Sequence, residues 1–229
     1  KKAKGKLSRF VYVSSITAAG PSDAAGNAVS VDATPRPVTH YGRSKLAAER
    51  AVLAAKGQFP VTILRPPAIY GPRDREILAF FKALNARVLP YMGSTQNRLS
   101  MIFGADAVAA CIAAIDADVP SGSTFNLDDG AVHTFDDLVK HAEAALGKRA
   151  WLRFPLPRPV IRTAAMFSEA YGKLRNRAVM LTRDKCNELF EQWVCDSSGT
   201  RDALGWEPKV PFSEGARLTV AWYREAGWL

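Results

Sequence analysis

An α/β body built on a parallel sheet, followed by a smaller mixed lobe, is the fold class this sequence predicts. Three observations carry it. Apolar FVYV (residues 10–13) and VTILR (61–65) are short β-rich runs, and between them YGRSKLAAERAVLAA (41–55) is rich in helix formers. Strand, helix and strand in that order make one crossover unit of a parallel sheet. At 229 residues and 48% hydrophobic, the chain can bury one good core plus a small appended lobe.

FVYV reads as a buried strand that ends at Ser14 and Ser15, and the Gly-, Pro-, Ser- and Asp-rich stretch up to residue 38 reads as a long loop. The helix that starts at Tyr41 stops near Gly57, and VTILR is closed by Pro66 and Pro67. EILAFFKALNA (76–86) and DAVAACIAAIDA (106–117) are helical by apolar spacing, and STFNL (123–127) is a further strand. In HTFDDLVKHAEAALG (133–147), Thr134 is a helix cap, Asp136 and Asp137 suit the first turn, and Gly147 is the stop. Residues 1–150 thus form a partial α/β body with interleaved lobe segments. Residues 151–229, with tryptophans, Tyr171 and Tyr223 in short segments, form most of the smaller lobe. A sheet whose first strand is FVYV has few strands and an open edge that needs a cover, so self-association into a dimer or larger species is expected.

Composition narrows the classes. No run approaches the roughly 18 apolar residues that span a bilayer, and no pattern of a secretory signal is present, so a cytoplasmic protein is the expectation. Cys111, Cys186 and Cys195 are too few and too irregularly spaced for a disulfide framework or a zinc site, and no metal is expected. The net charge of +9 sits mainly in two places. KKAKGKLSR (1–9) holds five cations and no acid, and residues 147–177 hold eight cations against Glu169 alone. Val160, Ile161, Ala164, Met166 and Phe167 interleave with the second group, which suits either a solvated lobe face or a helix lying on a membrane surface. No binding motif accompanies the charge, so nucleic acid is not an expected partner.

Tyr41 and Lys45 are the candidate chemistry. Four residues apart on a helix, they share one face, so the ammonium can lie near the phenol and lower its pKa, as a proton donor and acceptor at neutral pH requires. Ser14 and Ser15 end a strand at the sheet edge where α/β proteins bind ligands. A hydroxyl to hold a substrate oxygen, a phenol to move its proton and an ammonium to tune the phenol suit interconversion of an alcohol and a ketone. Hydride has no side-chain acceptor, so a nicotinamide is implied.

RFVYVSS with the following Gly20, YGRSKLAAERAV, VTILRPPAIYGPRD, FNLDDG and the closing ALGWEPKVPFSEGARLTVAWYREAGWL together resemble an extended short-chain dehydrogenase/reductase of the epimerase and dehydratase branch. The resemblance implies the carboxyl-terminal portion of a doubly wound, Rossmann-like parallel sheet and an NAD or NADP cofactor. It implies Tyr41 as catalytic acid/base, Lys45 as the residue that binds nicotinamide ribose and lowers the Tyr41 pKa, and Ser15, five places before Gly20, as holder of the substrate oxygen. Pro67, Ala68 and Ile69 are implied to line the nicotinamide pocket. From the residues alone, Pro66 and Pro67 equally terminate a strand, Ser14 is a core or loop hydroxyl, Asp106 braces its helix, and His40, His133 and His141 are surface residues.

Two departures from the family matter. The Gly-rich strand–turn–helix that receives a pyrophosphate is absent from these residues, and KKAKGK resembles the end of a surface helix, so the chain is expected to be truncated and inactive alone. Nucleotide-sugar members commonly place asparagine where Ala68 stands, arginine near Leu99 and histidine at the position of Phe103. Here Arg98 is displaced by one residue, onto the opposite strand face. Loss of charge-assisted phosphate contacts favours a small, hydrophobic alcohol or ketone as substrate. Epimerisation or dehydration of a nucleotide sugar, and a non-catalytic binding module, are the alternatives.

Overall fold

The computed structural model describes residues 7–175, 179 and 182–229. The opening KKAKGK, read above as a helix end, lies outside the described residues. Near the start of these, β1 (Phe10–Val13) leads through Ser14 and Ser15 into a short helix α1 (Ile16–Ala19), and α2 (His40–Ala54) follows. Next come β2 (Val61–Arg65), β3 (Ala68–Tyr70), α3 (Leu78–Asn85), β4 (Val88–Met92), β5 (Arg98–Leu99), β6 (Met101–Phe103) and α4 (Gly104–Asp116). The remainder is β7 (Ser123–Asn126), β8 (His133–Thr134), α5 (Phe135–Leu146), β9 (Leu152–Leu156), α6 (Arg158–Arg175), α7 (Arg183–Glu188), α8 (Ser198–Leu204) and α9 (Phe212–Glu225).

The strand–helix–strand unit is present as expected. β1, β2 and β7 form a parallel sheet in that order, with Val13 opposite Leu64 and Leu64 opposite Phe125. Every residue of β2 is buried, as befits a central parallel strand covered on both faces. β1 differs from the expectation of a buried strand. It lies at the sheet edge, and Phe10 and Val13 are each 40% exposed. Burial follows position in the sheet, which an apolar tetrapeptide alone does not encode.

Two cores are built on this frame. Leu64, Ile102, Ala107, Ala110, Leu127, Leu204 and Trp206 pack α4 and α8 around the sheet. Tyr70, Phe81, Leu84, Leu138, Val139, Phe212, Val220 and Tyr223 form the second, beneath α3, α5 and α9. Residues on both sides of position 150 enter both cores, and β4 pairs with β9 in a separate parallel ribbon. α5 starts as expected, with Thr134 and Asp137 in a reciprocal capping box and Gly147 in the left-handed conformation at its end. α6 runs 18 residues, longer than the short segments expected there. Pro159 sits in its first turn, where a missing N–H costs nothing. The three cysteines are free, with Cys186 and Cys195 buried.

The loop read between residues 16 and 38 contains α1, and this short helix matters because α2 packs directly on it. Glycines allow close approach both at this contact and at the loop that leads into α2. Gly20, at φ 105°, faces the Arg36 carbonyl, and a side chain at Gly42 would strike the Thr17 carbonyl. Gly42→Ala is therefore expected to cost about 1–3 kcal/mol by overpacking and to push α2 off α1. Denaturant unfolding checks this, and a variant as stable as the parent would contradict the packing described.

Candidate active site

α2 delivers Tyr41 and Lys45 to the carboxyl ends of the strands. Thr39 caps the helix by accepting the Gly42 N–H at 3.0 Å, and the Asp184 carboxylate accepts the His40 N–H at 2.6 Å, a negative charge at the positive end of the helix. Along the face shared by positions 41, 45 and 49, burial deepens steadily. Tyr41 is 53% exposed, Lys45 is half-buried and Glu49 is buried.

Glu49 was not singled out from the sequence, and it is the anchor of that face. Its two carboxylate oxygens accept from Arg65 Nε at 2.9 Å and Nη2 at 2.7 Å, with both side chains almost wholly buried. Arg65 is the last residue of β2, so the pair ties α2 to the strand end directly before Pro66 and Pro67. A third guanidinium contact, Nη1 to the Val31 carbonyl at 3.4 Å, ties in the long loop. The one signal available in the sequence was a glutamate two helical turns beyond Tyr41, in a pattern where a surface acid is the ordinary reading.

Ser15 caps α1, and its Oγ accepts from the Thr17 N–H at 3.2 Å and the Thr17 hydroxyl at 2.9 Å. Backbone pairing sets its place against the neighbouring strand, because Ser14 N–H donates to the Leu64 carbonyl at 2.7 Å and Ile16 N–H to the Pro66 carbonyl at 2.9 Å. Ser15 and the Pro66–Pro67 turn therefore stand side by side. Pro67 is buried, whereas Ala68 and Ile69 present apolar surface to solvent. Ser14 is buried, and its hydroxyl has no hydrogen-bond partner among the described residues.

The structure brings Ser15, Tyr41 and Lys45 together. Burial pushes the Tyr41 phenol above its ordinary value of 10.0, and the nearby Ser15 hydroxyl acts in the opposite direction. Glu188 and Glu76 raise it further, while Lys185 lowers it. Lys45 Nζ lies 5.7 Å from the centre of the Tyr41 ring and 5.3 Å from that of Tyr12, and it donates to the Val13 carbonyl at 3.0 Å. The expected depression of the Tyr41 pKa by Lys45 is thus not the net result in this arrangement. Desolvation is the largest influence on the phenol, and the lysine's hydrogen bond is made to backbone. Lys185 and Glu188 of α7, paired at 2.9 Å, and Glu76 were not anticipated near the phenol, because they come from segments far away in the chain.

Other candidates have structural roles. Asp106 accepts the Val210 N–H at 2.9 Å and so braces α4 against the approach to α9. His40 is exposed, as expected, and His141 is half-buried. His133 departs from its expected surface position. It is buried, with Nε2 2.8 Å from Asp129 Oδ2 and its ring packed on Phe212, because β8 pairs with β5 beneath the second core. Arg98 points its guanidinium at the Gly26 carbonyl, 3.1 Å away. Phe103 is buried against Tyr70. Among the described residues no cluster of His, Cys, Asp or Glu could hold a metal ion.

Because the neighbouring Ser15 hydroxyl favours the phenolate, Ser15→Ala is expected to raise the Tyr41 pKa further. NMR titration of a ¹³C-labelled tyrosine ring reads this directly, and an unchanged or lowered value would mean that the two groups do not interact.

A family model described as NAD dependent epimerase/dehydratase matches residues 1–128. A ceramide reductase of Caulobacter vibrioides is 33% identical over 99% of this chain and 66% of its own length. A UDP-glucose 4-epimerase of Vibrio cholerae is 27% identical over 96% of this chain and 64% of its own. The chain thus spans slightly less than two thirds of these relatives. The crystal structure of UDP-glucuronic acid 4-epimerase from Bacillus cereus in complex with NAD superposes with a TM-score of 0.72 at 21% identity, covering 96% of this chain and 62% of that one. At that identity the match speaks to the Rossmann-like fold.

Proposed function

The chain belongs to the NAD dependent epimerase/dehydratase family, and from that premise we propose that the protein is an NAD(P)-dependent oxidoreductase that interconverts a hydrophobic alcohol and its ketone. The observation that carries this reading is the half-exposed Tyr41 phenol set beside the Ser15 hydroxyl with the Lys45 ammonium over its ring.

The residues at the strand ends fit the nicotinamide end of such a cofactor. Ala68 and Ile69 offer an apolar wall next to Pro67, and Lys45 is the nearby donor and cation for the ribose. Bound nicotinamide supplies the hydride donor or acceptor that side chains lack. Ser15 Oγ orients the substrate oxygen by hydrogen bonding. Tyr41 Oη gives that oxygen a proton in reduction and takes it back in oxidation, and the Lys45 cation favours the phenolate whenever the proton has left. Burial keeps the phenol protonated at neutral pH, which is the form that donates to a carbonyl. These 229 residues contain no glycine-rich turn between a strand and a helix to cradle a pyrophosphate, so by themselves they should bind a dinucleotide weakly.

The substrate class rests on two observations beside the ceramide reductase likeness. Arg98, the cation beside the Leu99 position, is hydrogen-bonded to the Gly26 carbonyl, and Phe103 is closed into the core. Epimerisation of a nucleotide sugar is the second reading, favoured by the UDP-glucose 4-epimerase likeness.

With the full-length protein, Tyr41→Phe is expected to lower kcat about 10²–10⁴-fold, while long-chain ketones raise the Tm and nucleotide diphosphosugars do not. Undiminished turnover in the variant would overturn the catalytic assignment. Stabilisation by the nucleotide sugars alone would transfer the site to the second reading.

A further inference from the structure

Helix α6 carries two apolar faces where folding needs one. Ile161, Ala165 and Gly172 face the protein and are buried. Val160, Ala164, Phe167, Tyr171 and Leu174 recur at alternating spacings of four and three, which keeps them in a single arc of the helix, and all are exposed. Phe167 is 73% and Leu174 82% exposed, high values for side chains of that size.

The charge within this segment is nearly all of one sign, with Arg153 and Arg158 paired to Glu143 and Glu191 from outside it. Residues 147–177 hold eight Lys and Arg against the single acid Glu169. That acid is turned to the protein, where its carboxylate accepts from the Arg183 N–H at 2.7 Å and from Arg183 Nε at 3.0 Å. Arg162 in the first turns and Arg175 in the last are exposed, with the Arg175 guanidinium 5.8 Å from the Tyr171 ring centre. Trp151, three quarters exposed, lies just before β9, the strand that leads into α6.

We infer that α6 is a docking surface for an anionic lipid bilayer, lying in the interface with Phe167, Tyr171 and Leu174 among the acyl chains and its arginines at the headgroups. Charge complementarity decides the occupant. A second copy of the chain would bring the same cation-rich patch against itself, with like charges opposed across a twofold axis. Anionic headgroups neutralise that patch while the apolar stripe is buried. Among the described residues no helix is long and apolar enough to cross a membrane, so the contact is peripheral. The inference does not depend on the chemistry at Tyr41.

The test is co-sedimentation of the full-length protein with phosphatidylcholine vesicles that contain or lack phosphatidylglycerol, at low and high salt. Binding is expected only with phosphatidylglycerol and should fall as salt rises. Phe167→Asp with Leu174→Asp should weaken it about tenfold or more, and Arg162→Glu with Arg175→Glu should do the same without touching the stripe. Turnover of a water-soluble substrate should remain at the parent level in both double variants. A parent protein that ignores phosphatidylglycerol vesicles, or binding indifferent to either pair of substitutions, would overturn the inference. So would light scattering that shows a dimer split by Phe167→Asp with no vesicle binding, which would make the stripe an interface between copies.

Discussion

A carboxylate with no access to water must have a fixed cation, and in this protein the need is met by the pairing of Glu49 with Arg65. Two charges removed from solvent stay charged only if their hydrogen bonds are made, so the helix bearing one cannot turn or slide relative to the strand bearing the other. Glu49 sits one and two turns below Lys45 and Tyr41 on the same helical face, and Arg65 closes the central strand directly before the Pro66–Pro67 turn. The pair therefore sets the register between the phenol, the ammonium and the Pro66–Pro67 turn at the strand end. A buried ion pair is seldom a large net source of stability. Its value here is positional, since an alternative packing of α2 would strand a charge.

Around that fixed point the site is assembled from backbone. The Ser15 position comes from parallel pairing of β1 with β2, extended past the strand ends by Ser14 and Ile16. The small α1 helix that Ser15 caps meets α2 only because Gly42 leaves room for the Thr17 carbonyl. Lys45 is steadied by the Val13 carbonyl at the end of the same strand. Three candidate side chains thus inherit their places from one strand pair and one helix contact. The outer parts of the site, α7 with Lys185 and Glu188, come from a different stretch of chain and act on the electrostatics of the phenol.

Much of the frame was legible in the sequence because it is written in local patterns. FVYV, VTILR and the helix from Tyr41 are short-range signals, and the Thr134 cap with Gly147 as stop is a local chemical requirement that the structure satisfies in full. The closeness of Tyr41, Lys45 and Ser15 was legible through motif order. What stayed hidden depends on distant partners. Glu49 looks like any surface acid until Arg65 is placed beneath it, His133 looks exposed until β8 finds β5, and the apolar letters of β1 do not disclose that it lies at a sheet edge. The burial that raises the Tyr41 pKa is hidden for the same reason. Spacing on a helix shows that a lysine is near, and only the fold shows that the phenol is partly desolvated.

The central claim, that the Glu49–Arg65 pair locks α2 onto the end of β2, is tested most directly by a double-mutant cycle of unfolding free energies with Glu49→Gln, Arg65→Met and the two combined. Each single change strands a buried partner and should cost about 3–5 kcal/mol, and the combined change should cost far less than their sum. Strict additivity of the two single changes would contradict the account, because it would mean that carboxylate and guanidinium do not depend on each other in the folded protein.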